Sequence, residues 1–146
     1  MIAAGECGIT VHAEAGMHVL VVEDDLDTRD LLQHALKKEG YEVSQALGVS
    51  DALRLSRMHP DIDVVVMDMH LCCRQSIEEI TREIRRCLHN SHYVLASGDW
   101  DTLESRCRNQ RDTTVLRKPY GKQELLRAIG RSVARLSLGD SYKRHD

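Results

Sequence analysis

The segment HVLVVEDDLDTRDLLQHALKKEG, residues 18–40, joins an unbroken apolar run to a more polar stretch that follows it directly. The run Val19–Val22 is typical of a strand that is covered on both faces. The stretch after it has cap-type residues at Asp27 and Thr28 and a glycine at Gly40, which are signals for the start and the end of a helix. The segment therefore predicts a buried strand followed by a helix.

The same order of strand and helix occurs five times along the chain. Strands are predicted at residues 18–25, 41–46, 61–68, 92–97 and 113–117. Helices are predicted at about residues 27–40, 50–58, 77–87, 101–110 and 122–136. Strands that alternate with helices indicate an α/β protein, in which a parallel sheet has helices on both faces.

The composition is that of one folded domain. The chain has 146 residues, of which 42% are hydrophobic and 29% are charged. We predict that residues 17–136 form the domain, that residues 1–16 are an N-terminal extension outside it, and that residues 137–146 are a C-terminal tail. No apolar run reaches the roughly 18–20 residues that a membrane span requires, so no membrane contact is expected.

Cysteine content and charge suggest a compartment and narrow the choice of partners. An odd number of cysteines, five, does not suggest a disulfide framework, which favours a cytoplasmic location. Residues 1–99 carry a net charge of −8 and residues 100–146 a net charge of +5. A basic segment can meet nucleic acid, but a solvated helix face explains it more simply, so no direct binding of nucleic acid is expected.

Reactive side chains stand where four of the five predicted strands end. They are Glu23, Asp24 and Asp25 at the end of the first strand, Asp68 at the end of the third, Ser97 at the end of the fourth and Lys118 directly after the fifth. The carboxyl ends of parallel strands meet at one edge of a sheet, so these groups should converge. Clustered carboxylates repel one another and favour a hard cation such as Mg²⁺. One carboxylate could then attack phosphorus, with Mg²⁺ and the ammonium neutralising phosphoryl oxygens and the hydroxyl holding a third.

The segment VVVMDMHLCC, residues 64–73, places a histidine and two cysteines close to Asp68. A zinc site needs about four ligands at chelating spacing, and nothing nearby completes the set of His70, Cys72 and Cys73. Loop and packing roles are the better interpretation. Redox sensing by either cysteine stays open, because it depends on thiolate character.

The motifs VLVVEDD, VVVMD, LASGD and RKPY together resemble those of the receiver domains of two-component response regulators, over roughly residues 17–136. The resemblance implies a flavodoxin-like (βα)5 fold, a doubly wound parallel sheet with strand order 2-1-3-4-5. It implies that Asp68 accepts a phosphoryl group, that Ser97 hydrogen-bonds this group and that Lys118 pairs with it. It also implies that the Lys118–Pro119 peptide is often cis.

The same resemblance implies a metal and partners. Mg²⁺ would be bound by Asp24, Asp25, Asp68 and the backbone carbonyl of His70. The phosphoryl donor would be a histidine kinase or a histidine phosphotransfer protein. Because the chain ends soon after the fifth helix, we expect a stand-alone receiver that signals by protein contact through its fourth and fifth helices and fifth strand, with a homodimer as a further option. It would not be an enzyme in the ordinary sense, but a phosphoacceptor that assists its own phosphorylation and dephosphorylation.

Departures from the family pattern leave a second function open. Val115 stands where the family commonly has an aromatic switch residue, Cys72 stands where a proline is usual, and Asp99 adds an acid near the phosphoryl position. These changes are compatible with a pseudo-receiver, an interaction module that works without phosphorylation. The complete set of acids, hydroxyl and lysine argues against it. A phosphatase is disfavoured because Asp68 lacks the D-x-D pattern, and flavin binding because no phosphate loop follows the first strand.

Overall fold

Five strands alternate with five helices in the computed structural model, which describes residues 16–70 and 75–144, and side chains up to residue 134. The strands are β1 His18–Val22, β2 Glu42–Ala46, β3 Val64–Asp68, β4 His92–Ser97 and β5 Thr113–Arg117. The helices are α1 Leu26–Lys38, α2 Val49–Met58, α3 Ile77–Cys87, α4 Trp100–Cys107 and α5 Lys122–Arg144. All strand pairs are parallel, in the order β2-β1-β3-β4-β5, which confirms the predicted flavodoxin-like fold.

Two apolar layers cover the two faces of the sheet, because successive side chains of a strand point to opposite sides. Leu20 and Val65 point into the layer that packs under α2, α3 and α4. Val21 and Val66 point into the layer that packs under α1 and α5. Burial on both faces explains why β1 and β3 are continuous aliphatic runs.

Helix α1 begins earlier than the cap-type residues at Asp27 and Thr28 predict. The Asp25 carboxylate accepts hydrogen bonds from the backbone N–H of Thr28 at 2.9 Å and from its hydroxyl at 2.6 Å. It therefore caps the helix, which starts at Leu26 and carries Asp27 in its first turn. An acid in the first turn is favourable there, because it faces the positive end of the helix dipole.

Helix α5 packs against the sheet through small as well as large side chains. Its most deeply buried residues are Leu125, Ala128, Ile129 and Ser132. Small side chains at Ala128 and Ser132 allow close packing, and the Ser132 hydroxyl is satisfied by the carbonyl of Ala128 at 2.9 Å. The helix extends to Arg144, beyond the predicted end at residue 136. The limits predicted for the domain stay a prediction. No helix in the described ranges is long and apolar enough to cross a membrane.

Candidate functional site

Asp68 lies at the carboxyl end of β3, where a cation and a backbone amide hold its side chain. The Nζ atom of Lys118 is 2.8 Å from its Oδ1 atom. The backbone N–H of His70 donates to the same oxygen at 2.9 Å. Only 11% of the Asp68 side chain is exposed. This carboxylate is therefore fixed in direction and still reachable from solvent.

Two further carboxylates converge on Asp68. One oxygen from each of Glu23, Asp24 and Asp68 lies within 4.8 Å of the others. Burial is the main cause that raises the pKa of Glu23, and the charge of Asp68 raises it further. Three carboxylates this close repel one another unless a cation lies among them, and an all-oxygen donor set is what Mg²⁺ prefers. The residues present thus fit a magnesium site.

The carboxylate of Asp25 lies in a different place from those of Glu23 and Asp24. Its carboxylate caps α1, and the hydrogen bonds from Thr28 lower its pKa. Its backbone N–H donates to Glu23 Oε2 at 3.1 Å, which helps to orient that side chain. Asp25 lines the same cavity but lies outside the cluster of three carboxylates, and its role as a metal ligand stays a prediction. Glu23 was not among the predicted metal ligands. The only feature of the sequence that could have indicated it is its position next to Asp24 and Asp25.

Ser97 and Lys118 are joined through the backbone where β4 and β5 end. Lys118 N–H donates to the carbonyl of Ser97 at 2.9 Å, and the Lys118–Pro119 peptide is cis. The buried Ser97 hydroxyl accepts the backbone N–H of Asp99 at 3.0 Å. Ser97 and Lys118 are therefore neighbours at the same edge of the sheet as Asp68.

An open cavity of about 640 Å³ lies over the acids and Lys118, and the buried Ser97 is not among the residues that line it. It is lined by Glu23, Asp24, Asp25, Thr28, Asp68, His70, Lys118, Pro119 and Tyr120. Tyr120 had no predicted site role, yet burial, with the charges of Glu23 and Asp68, raises its pKa to about 12. It therefore remains a neutral phenol beside the acids. Cys72 and Cys73 lie outside the described residues.

Comparison with known proteins gives the family of the chain. A model of the response regulator receiver domain family matches residues 19–130. The chain belongs to this family. Its members are in general phosphoacceptor switches rather than classical enzymes, they typically bind Mg²⁺ through acidic residues, and they interact with histidine kinases and downstream effectors.

Solved structures show the same fold. A receiver domain protein from Clostridium thermocellum is 27% identical over 84% of this chain and 98% of its own, with a TM-score of 0.73. A protein described as an adenylate cyclase from Rhodopirellula baltica is 22% identical, with a TM-score of 0.78, over 88% of this chain and 96% of its own. A CheY-like receiver domain protein from Methanospirillum hungatei is 18% identical, with a TM-score of 0.73, over 84% of this chain and 98% of its own.

Proposed function

We propose that Asp68 accepts a phosphoryl group from a phosphohistidine of a histidine kinase or a histidine phosphotransfer protein. The observation that carries the proposal is the 2.8 Å contact between Lys118 Nζ and Asp68 Oδ1, beside two more carboxylates at an open cavity. A cation on the phosphoacceptor and an acidic metal-binding cluster next to it are what transfer to a carboxylate requires.

The transfer forms one bond and breaks one. A carboxylate oxygen of Asp68 attacks phosphorus, the N–P bond of the phosphohistidine breaks, and the released imidazole takes up a proton. The product is an acyl phosphate. Lys118 then pairs with a phosphoryl oxygen in place of the carboxylate. The Ser97 oxygen accepts a bond from Asp99, so its hydroxyl hydrogen is left for a second phosphoryl oxygen.

The chain's own ligands for Mg²⁺ would be Glu23, Asp24 and Asp68, with the backbone carbonyl of His70. When bound, the ion supplies positive charge that neutralises phosphoryl oxygens. Glu23 replaces Asp25 in this proposal, because Glu23 converges with the other two acids while Asp25 caps α1. The buried position of Glu23 keeps its carboxylate directed at the cluster.

We further propose that output is by protein contact through α4, β5 and α5. Phosphorylation adds about −1.5 to −2 charges at the site. Ser97 lies directly before the loop into α4, and Lys118 directly after β5, so both of the residues that contact the phosphoryl group adjoin this face. Position 115 holds a valine, which is partly buried against the layer under α2–α4, so it offers no aromatic side chain for a relay. The stand-alone state, a homodimer and the cytoplasmic location stay predictions.

The test is phosphorylation by a small donor. The protein is incubated with Mg²⁺ and phosphoramidate, and beryllofluoride serves as a separate phosphoryl mimic. We expect an acid-stable, base-labile adduct on the wild type and on Asp101→Asn, a control at an exposed acid of α4, and no adduct on Asp68→Asn. Absence of both an adduct and a Mg²⁺-dependent response to beryllofluoride in the wild type would instead support the pseudo-receiver.

A further inference from the structure

A second cluster of side chains that could hold a metal ion lies at the opposite edge of the sheet, where β1 and β3 begin. His18 is the first residue of β1, His59 is the C-cap of α2, and Asp61 lies in the turn between α2 and β3. One nitrogen or oxygen from each lies within 4.8 Å of the others. The phosphoryl chemistry at Asp68 uses none of these residues.

His18 has the environment of a metal-binding histidine. It is 1% exposed, its Nδ1 atom is 2.9 Å from Asp61 Oδ2, and its Nε2 atom is 2.7 Å from the hydroxyl of Ser44. Histidine ligands commonly use one ring nitrogen for the metal and fix the other by an outer hydrogen bond. In one tautomer Nδ1–H donates to Asp61 and Nε2 accepts from Ser44; in the other, Nε2–H donates to Ser44 and the Nδ1 lone pair faces a carboxylate oxygen. Two acceptors at this distance need a cation between them, either a proton or a metal ion.

His59 and Asp61 supply the open side of the cluster. The ring centroid of His59 is 5.4 Å from that of His18, with the ring planes 68° apart. His59 also stands at the carboxyl end of α2, where the helix dipole favours positive charge. The side chain of Asp61 is 60% exposed, so an ion could enter from solvent and keep water ligands.

The backbone around His18 is also anchored at this place. The carboxylate of Asp63 accepts the backbone N–H of His18 at 2.9 Å, and the backbone N–H of Asp63 donates to the carbonyl of His18 at 2.8 Å. His18 is thus held from two directions before any ion binds. A second carboxylate close to the cluster adds negative charge.

We propose that His18, His59 and Asp61 form a three-ligand site for a divalent transition metal such as Zn²⁺. Two imidazoles and one carboxylate, with solvent in the remaining position, are a known ligand set for zinc and do not suit Mg²⁺. The ion would replace the proton that Nδ1 of His18 and the carboxylate of Asp61 share, and the exposed Asp61 side chain would move back to reach a metal–ligand distance. Binding would join the carboxyl end of α2 to the start of β1.

The test is a Zn²⁺ titration of the full chain, reduced and with excess Mg²⁺ present to occupy the carboxylates near Asp68. Calorimetry would give stoichiometry and affinity, and NMR of the imidazole nitrogens would show which rings respond. We expect one site that His59→Gln and Asp61→Asn each weaken by about tenfold or more. The control His89→Gln, at an exposed histidine, should leave the site intact.

Both test substitutions are at solvent-accessible side chains, so they should leave the fold intact, and far-UV circular dichroism would check this. Zinc should also raise the midpoint of thermal unfolding of the wild type, and less so that of the two variants. Equal zinc binding in all four proteins would place the ion elsewhere, for example on cysteines, and would overturn the proposal. Absence of a stoichiometric site in the wild type would overturn it as well.

Discussion

Lys118 Nζ lies 2.8 Å from Asp68 Oδ1, with 30% of the lysine and 11% of the aspartate side chain exposed. The lysine follows β5 and the aspartate ends β3, so a pair from two strands meets over the end of β4 between them. The ammonium offsets part of the negative charge that Glu23 and Asp24 add near Asp68. Both the proposed phosphoacceptor and the group that would bind its product are therefore in place before transfer.

Replacing the lysine tests this arrangement. We expect Lys118→Gln to slow phosphorylation of Asp68 by phosphoramidate by roughly a hundredfold, because charge on the phosphoryl oxygens loses a preorganised cation. Arg117→Gln removes a neighbouring exposed cation and should keep the wild-type rate. Time courses of adduct formation measure both. If the two variants were equally fast, Lys118 would have no part in the transfer.

Substitutions at Glu23 and Asp25 should have different effects, because the two acids have different roles. Glu23→Gln should weaken Mg²⁺ binding by about tenfold, because a carboxylate leaves the cluster. Asp25→Ala should leave Mg²⁺ affinity unchanged and lower the midpoint of thermal unfolding, since α1 loses its N-cap. Isothermal titration with Mg²⁺ and thermal melts distinguish them. Weaker Mg²⁺ binding in Asp25→Ala alone would instead make Asp25 the ligand.

Tyr93 makes the stability of the protein sensitive to alkaline pH. Its ring is fully buried, and burial is the main cause that raises the pKa of the phenol to about 12, against 10.0 for a free tyrosine. The folded state therefore favours the neutral phenol. The resulting stabilisation is complete below pH 10 and is lost as the pH rises from 10 to 12, because only the unfolded chain ionises there.

Tyr93→Phe should remove this contribution. Above pH 10 we expect the wild type to lose stability more steeply than the variant, with a difference on the order of 1 kcal/mol per pH unit. Urea unfolding at several pH values between 8 and 11 measures it. Parallel curves for the two proteins would mean that Tyr93 titrates like a free tyrosine.

Arg85 joins α3 to the loop before β5. Its guanidinium bonds both oxygens of Asp112, at 2.7 and 2.9 Å, and lies 4.8 Å from the ring centre of Tyr93. We expect Arg85→Lys to destabilise the protein by about 1 kcal/mol, because an ammonium cannot form the paired bonds; the pair is partly exposed, so solvent limits the effect. Arg82→Lys, at an exposed arginine of the same helix, is the control. Urea unfolding at neutral pH measures both, and equal stability of the two variants would assign no net stabilisation to the pair.

The fold could be predicted because buried strands have a recognisable pattern of apolar residues in the sequence. The aliphatic runs of β1 and β3 exist because both faces of these strands are covered, and β4 and β5 have the limits that the sequence predicts. The face of α5 was less predictable. Leu125 and Leu126 are adjacent, and the choice between them depends on how closely Ala128 and Ser132 approach the sheet.

The position of the site could also be predicted, but not which acid does what. Glu23, Asp24 and Asp25 are consecutive, and spacing alone does not say which of them faces Asp68 and which caps a helix. Those roles depend on the path of the chain as it leaves β1. The partners of His18 could not be predicted either, because Asp61 and Ser44 are distant in sequence and contact it only in the folded chain.

Trp100 gives the protein a built-in optical probe. It is the one tryptophan of the 146 residues, and it is the first residue of α4, three positions after Ser97. The Ser97 hydroxyl accepts a hydrogen bond from the backbone N–H of Asp99, the residue directly before Trp100. Movement of that hydroxyl would therefore change the environment of the indole. Unlabelled protein therefore carries a single tryptophan three residues from Ser97, and its fluorescence can follow events at this end of β4 in real time.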